Sequence, residues 1–262
     1  DFKELSPEDQ VDWKPPLMAK TFKGGYDGKG NQKIMDTEEL ISFISSIDSD
    51  EWLIEEWVEY DNEFALVGSR DFDGKIRLFP LVETFQSNNI CDWVISPANI
   101  NYDINQFAFN IFSSIVNELS YVGVLGIEFF YGKGGLQINE IAPRTHNSGH
   151  FSIEACTSSQ FDQQICISSG IQAPEIKMKS PGALMVNLLG LNTNTLSVDE
   201  RIKKLTAIKG AHVHWYGKSE ETKGRKMGHI TFLLNDKNHQ DRLAKCKKIM
   251  NKIRKVWPSP HD

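Results

Sequence analysis

Val124-Leu125-Gly126-Ile127-Glu128-Phe129-Phe130-Tyr131 and Leu136-Gln137-Ile138-Asn139-Glu140-Ile141 are two apolar runs joined by Gly132-Lys133-Gly134-Gly135. Each run has the length and residue types that suit a pleated sheet, and the glycines between them mark a turn, so the stretch predicts a hairpin. Paired through a turn of three or five residues, the hairpin sets Glu128 opposite Glu140. Two carboxylates so placed repel one another unless a cation lies between them. Mg2+ is the expected ion, because it combines one or two carboxylates with phosphate oxygens and water. A slipped register would instead leave one Glu in solvent. Directly after the second strand, Arg144-Thr145-His146-Asn147-Ser148-Gly149-His150 packs a guanidinium, two imidazoles and an amide into seven residues without an apolar side chain. A segment of that composition has little to bury, and an anionic small molecule explains it better than packing does. His146 and His150 have H-x-x-x-H spacing, but Gly149 argues against a zinc-binding helix.

Upstream of the hairpin, Ile104, Phe107, Ala108, Ile111, Phe112, Ile115, Val116 and Leu119 form one apolar face and predict a helix over 104–119. Phe64 to Val67 and Ile76 to Phe79 read as strands about an Asp73-Gly74 turn. Trp52 to Ile54 reads as a strand, and Leu40, Ile41, Phe43, Ile44 and Ile47 recur at helical spacing. A short strand, Leu17 to Ala19, runs into Lys20 and the loop Lys23-Gly24-Gly25-Tyr26-Asp27-Gly28-Lys29-Gly30. Four glycines there let backbone N–H groups approach phosphate oxygens. The loop is neither a P-loop, having Lys23 and Gly30 where Gly and Ser or Thr belong, nor a dinucleotide fingerprint, having Lys33 at the third glycine.

Downstream, Gly170 and Pro174 mark a break, and the lysine-rich stretch to Pro181 reads as a linker. Short strands follow at Leu184 to Leu188, Val213 to Trp215 and Ile230 to Leu234, then a basic helix near 239–256. Arg242, Lys245, Lys247, Lys248, Lys252, Arg254 and Lys255 of that helix are expected to present a solvated face. His212 and His214 share one face of a strand, where a structural role is expected. Lys218, Lys223, Arg225 and Lys226 form a charged loop, partly offset by Glu220 and Glu221.

The 262 residues carry 29 Lys+Arg against 35 Asp+Glu, a net charge of −6, with 40% hydrophobic residues. That balance suits a folded α+β protein with a substantial core and argues against disorder and against general nucleic-acid binding. No apolar run approaches the ~20 residues of a membrane span. The four cysteines form no C-x-x-C pair, which points to reduced thiols and a cytoplasmic location.

Taken in order, Lys20, the Gly24-to-Gly30 loop, Glu128-Phe129-Phe130, Asn139-Glu140-Ile141-Ala142-Pro143-Arg144-Thr145-His146-Asn147-Ser148-Gly149-His150, Ser159-Gln160-Phe161, Met185-Val186-Asn187-Leu188-Leu189-Gly190 and Gly224-Arg225-Lys226-Met227-Gly228-His229 carry a resemblance. The chain from about residue 17 resembles the 5-(carboxyamino)imidazole ribonucleotide synthases, ATP-grasp enzymes of purine biosynthesis. The resemblance implies an ATP-grasp fold, two α+β subdomains clasping ATP, with a small β-rich C-terminal domain. It divides the chain into a truncated first subdomain (1–57), a second subdomain (58–172) and the C-terminal domain (173–262). It implies an ATP-dependent carbon–nitrogen ligase that uses bicarbonate and Mg2+ to carboxylate 5-aminoimidazole ribonucleotide by way of carboxyphosphate.

By position, the resemblance gives Lys20, Gly25, Gly28, Lys29 and Gly30 to the ATP phosphates, Glu55, Glu56 and Val58 to adenine, and Glu63 to the ribose. It gives Glu128 and Glu140 to the metal and Tyr26 and Asp27 to the aminoimidazole. Arg144, His146 and Asn147 fall to bicarbonate and carboxyphosphate, and Lys218 and Arg225 to the ribonucleotide 5′-phosphate. It further implies a homodimer and an N-terminal nucleotide-fold domain that this sequence lacks. The chain departs from the family pattern at Thr222-Lys223, where Arg-Pro is usual, and at Trp57 in the adenine segment. Two alternatives stand beside this reading: a fragment that binds nucleotide or dimerises without turnover, and an ATP-grasp ligase for another acid.

Overall fold

The computed structural model describes residues 2–5, 13–23, 30–47, 51–191 and 196–260. They form two compact units, Asp1–Glu59 and Tyr60–Asp262.

The smaller unit contains β1 (Phe2–Leu5), β2 (Leu17–Thr21), β3 (Asn31–Ile34), α1 (Thr37–Ser46) and β4 (Trp52–Glu56). Its antiparallel sheet has the order β1-β4-β2-β3. Leu17, Ala19, Ile34 and Ile54 of the strands meet Leu40 and Phe43 of α1 in one core. Asp36 caps the helix by accepting from Glu39 N at 2.8 Å, a contact type that contributes about 1 kcal/mol. Ile41, counted on the apolar face by spacing, is 60% exposed at its margin.

The larger unit runs β5 (Asn62–Arg70), β6 (Ile76–Leu78), β7 (Val82–Ser87), β8 (Ile90–Ser96), α2 (Tyr102–Glu118), β9 (Gly123–Gly132) and β10 (Gly135–Ala142). It continues with α3 (Ser152–Ala155), α4 (Gln160–Ser168), β11 (Gly182–Leu189), α5 (Val198–Thr206), β12 (His212–Trp215), β13 (Lys226–Leu234) and α6 (His239–Arg254). Among the described residues one nine-stranded antiparallel sheet takes in every strand of this unit, ordered β10-β9-β5-β7-β8-β11-β13-β12 with β6 on β5. Residues 173–262 therefore share a sheet with 60–172, because β11 pairs with β8 across the expected 172/173 boundary.

Strand alternation divides the sheet into two faces. Phe64, Leu66, Ile127 and Phe129 turn toward Ala108, Phe112 and Val116 of α2, and Leu184, Val186 and Ile230 toward Cys246 and Ile253 of α6. The other face carries Ala65, Val67, Val94 and Met185 against Phe151, Ala155 and Cys156. It also bears the candidate chemistry.

Three expectations change. Phe107 is 50% exposed and Leu119 65%, so the α2 stripe is narrower than its spacing suggested. Arg242 and Arg254 are not on a solvated face: Arg242 donates to Lys237 O at 2.9 Å and Arg254 pairs with Asp92. The hairpin turn is two residues, Lys133-Gly134, with Gly132 opposite Gly135. Among the described residues, no helix is long and apolar enough to cross a membrane, and all four cysteines are free thiols.

Candidate active site

A two-residue turn carried through unchanged would set Glu140 opposite Ile127, on the α2 face of the sheet. A bulge between Ile138 and Glu140 corrects the count, so that Glu140 pairs with Glu128 and Ile141 with Ile127. The carboxylates thus stand side by side, Glu128 with 22% of its side chain exposed and Glu140 in solvent. Among the described residues no group of three or more His, Cys, Asp and Glu side chains is placed to hold a metal. Two carboxylates fit Mg2+ that takes its other ligands from phosphates and water, and they do not fit an all-protein cage.

His146 lies directly over β9. A Cβ on Gly126 would come within 2.7 Å of the His146 Cβ, so only glycine lets the segment approach beside Glu128. His146 Nδ1 accepts from Ser148 N and lies 2.8 Å from Ser148 Oγ. Its other ring nitrogen lies 3.4 Å from Glu128 Oε1.

The segment 144–150, which has little that is apolar to bury, is nonetheless largely buried. Asn147–Gly149 form a 3₁₀ turn, and His146, Ser148 and Gly149 are buried. Gln160, fully buried at the start of α4, accepts from His146 N at 2.8 Å and donates to His146 O at 2.8 Å. It also lies 2.9 Å from His150 Nδ1. Asn147 and buried Asn187 of β11 exchange amide hydrogen bonds at 2.9 and 2.8 Å, and Asn187 donates to Cys91 O at 2.8 Å. Arg144 remains exposed and donates to Thr145 O at 3.0 Å. Gln160 and Asn187 are positioning residues that the sequence reading quoted but gave no role.

Glu63 projects from β5 on the same face, opposite Thr84. Gln86 donates to its Oε2 at 2.9 Å. The Tyr60 ring stacks on Phe130 at 4.2 Å, and burial and the hydrogen-bonded Glu63 carboxylate push the Tyr60 hydroxyl far above its ordinary range. The Cys91 thiol is pushed by burial to about 12, against the opposing pull of Lys226. It stays protonated and is no nucleophile.

Behind the segment lies a layer of aromatic side chains. His150 stacks on Phe161 at 5.5 Å, His229 lies 4.9 Å from His150, and His214 stacks on His229 at 4.5 Å. Tyr216 Oη is 2.8 Å from His229 Nδ1, and His214 Nε2 is 2.7 Å from Glu154. Burial depresses His150 to about 4 and His229 to about 2, with the neighbouring cations and imidazoles adding to it. Both rings are neutral at pH 7. Lys218 Nζ donates to Lys226 O at 2.6 Å, and the exposed Arg225 donates to Glu220 O at 3.0 Å.

In the smaller unit, Lys20 Nζ is 2.6 Å from Glu55 Oε2, both side chains partly exposed. Glu56 ends β4, and Trp57 N donates to Pro16 O at 3.3 Å while its ring lies under Lys33 at 3.9 Å. Val58 follows, half-buried. Gly30 takes φ +82° and its carbonyl accepts from Thr21 N at 2.9 Å. Gly25, Tyr26, Asp27, Gly28 and Lys29 lie outside the described residues.

Residues 5–161 match the ATP-grasp domain, and 183–242 match the phosphoribosylaminoimidazole carboxylase C-terminal domain. A relative from Synechococcus elongatus, N5-carboxyaminoimidazole ribonucleotide synthase, is 39% identical over 94% of this chain and 62% of its own length. The chain thus spans about three fifths of that relative. The N5-carboxyaminoimidazole synthetase of Staphylococcus aureus, solved with ADP, is 35% identical with a TM-score of 0.78, covering 91% of this chain and 61% of that one. The Aspergillus clavatus synthase, solved with ADP and 5-aminoimidazole ribonucleotide, is 27% identical with a TM-score of 0.77, covering 91% and 62%.

Proposed function

The chain belongs to the ATP-grasp family, and from that premise we propose that it carries the ATP-dependent carboxylation of 5-aminoimidazole ribonucleotide. Bicarbonate attacks the γ-phosphate of ATP, giving carboxyphosphate and ADP. Carboxyphosphate breaks down to CO2 and phosphate, and the exocyclic amine attacks CO2, loses a proton and becomes the carbamate. Bound at Glu128 and Glu140, Mg2+ would neutralise charge on the phosphates during transfer.

The chain's own groups then do three things. Lys20 and the glycine loop hold phosphates, with Glu55, Glu56 and Val58 against adenine and Glu63 on the ribose. Arg144, His146 and Asn147 surround the bicarbonate, where fixed donors favour charge that develops in the transition state. Lys218 and Arg225 hold the 5′-phosphate, and Tyr26 and Asp27 meet the aminoimidazole. The observation that carries this reading is the grouping of Glu128, Glu140, His146 and Asn147 on one face of the large sheet. A cytoplasmic homodimer with a further N-terminal domain is the family arrangement we expect.

ADP release with Mg-ATP and bicarbonate, measured with and without the ribonucleotide, tests the reading. Stimulation by the ribonucleotide, abolished in Glu140→Gln, is the expected result. Turnover in Glu140→Gln near that of the unaltered chain would remove Glu140 from the metal site. ADP release indifferent to the ribonucleotide would leave the ATP-grasp assignment standing and favour the fragment that does not carry out the carboxylation.

A further inference from the structure

We propose that Arg201 and Glu221 are positioning residues that hold the loop bearing Lys218 and Arg225 in the shape needed to bind a phosphate monoester. The inference rests on the reading of Lys218 and Arg225 as phosphate ligands. Arg201 grips the Glu221 carboxylate as a fork, with contacts of 2.9 Å to Oε1 and 2.6 Å to Oε2, and Leu191 N donates to Oε1 at 3.0 Å. Arg201 is 2% exposed, and its guanidinium lies 4.0 Å from the centroid of the buried Trp257 ring. Trp257 Nε1 in turn donates to Leu189 O at 2.7 Å. The clamp therefore joins α5, the end of β11 and the segment after α6.

From the other side the loop is pressed onto Gly190. Gly190 N donates to Arg225 O at 2.7 Å, and Gly224 N donates to Gly190 O at 3.0 Å. A Cβ at 190 would come within 2.1 Å of Thr222 O. The backbone from Glu221 to Arg225 is thus tied at both ends, to Leu191 and to Gly190, and the Arg225 side chain is exposed.

A stabilising role alone does not explain the pair. Desolvating two charges is costly, and well-packed apolar residues in their place are often as stable. Here Arg201 Nε also has no partner among the described residues, which adds to the cost. What the fork supplies is one geometry and a cancelled charge. Glu221 shares its loop with Lys218, Lys223, Arg225 and Lys226, and an uncompensated carboxylate would weaken their attraction for an anion. Burial raises the Glu221 carboxyl, but the hydrogen bonds from Arg201 and Leu191 outweigh it, so the group stays ionised and paired.

Calorimetric titration of the full chain with 5-aminoimidazole ribonucleotide, and separately with MgADP, tests this. Arg201→Met is expected to weaken ribonucleotide binding about tenfold or more and to leave MgADP binding unchanged. Arg201→Lys, which keeps the charge without the fork, should recover part of the loss. Glu221→Gln keeps the shape and removes half the pair. It is the variant to use should Arg201→Met not fold, and about a fivefold loss is expected. Variants that melt earlier yet bind the ribonucleotide as the unaltered chain does would overturn the positioning role and leave the phosphate site standing. An unaltered chain that binds MgADP but no ribonucleotide would overturn the phosphate reading itself, and this inference with it.

Discussion

The segment 144–150 and the loop 218–226 are both short, polar and proposed to meet anions, yet they are built in opposite ways. The first is sunk against the sheet, where its backbone and side chains are hydrogen-bonded to Gln160, Ser148 and Asn187. The second is pinned through Glu221 and Gly190 while Lys223 and Arg225 stay in solvent. A buried polar segment depends on every one of its hydrogen bonds, because each donor or acceptor left unpaired bears its full desolvation cost. A loop pinned at its base can vary its exposed side chains without losing its fold. The contrast is one of placement, not of composition.

The comparison makes predictions that can be ranked. Gln160→Ala, which strands His146 N and His146 O and leaves a cavity, should lower stability by about 3–5 kcal/mol in urea unfolding. A loss under about 1 kcal/mol would mean that Gln160 is not the anchor of the segment. Acid should act next. His150 and His229 stay neutral in the fold, down to about 4 and about 2, whereas in the unfolded chain both take up protons below about 6.5. Their stabilising contribution is whole above that pH and is lost as the pH falls, at about 1.4 kcal/mol per unit for each ring. Between pH 7 and pH 5 about 2–4 kcal/mol should disappear, and His229→Gln should halve the slope. A pH-independent stability would show that the layer behind the segment is hydrated.

Gly126→Ala tests the same contrast at one atom. Its Cβ displaces His146, so stability should fall by about 1–3 kcal/mol and ribonucleotide-stimulated ADP release by about a hundredfold. Unchanged turnover would show that the close approach of His146 to β9 is not needed. Lys223→Ala, in the exposed part of the other loop, should alter stability by no more than about 0.5 kcal/mol. A larger effect in urea unfolding would place Lys223 among the anchors.

What could be read from the sequence follows the range of the interactions involved. The 124–141 hairpin and α2 show in local periodicity, because a strand or helix face is written within one window. The Glu128–Glu140 pairing was expected from a longer turn than the real one. It holds because the bulge supplies the missing residue. β7 has no local signal, since Thr84 and Gln86 stand where alternation from Val82 would place apolar residues. Asn88-Asn89, with φ of 49° and 61°, was the available signal for the turn between β7 and β8. The composition of 144–150 misled about burial because its partners, Gln160 and Asn187, lie 14 and 40 residues further on. Nothing local announces a polar segment whose hydrogen bonds are made that far away.

The bulge in β10 also bears on how the hairpin can change over generations. A strand with one residue more than its pairing requires has a residue it can lose. An in-frame loss of any single codon among 136–139 would straighten the strand and still bring Glu140 opposite Glu128. Loss of a second codon would turn Glu140 to the opposite face. Length variants of this hairpin should therefore survive at one residue shorter and no further.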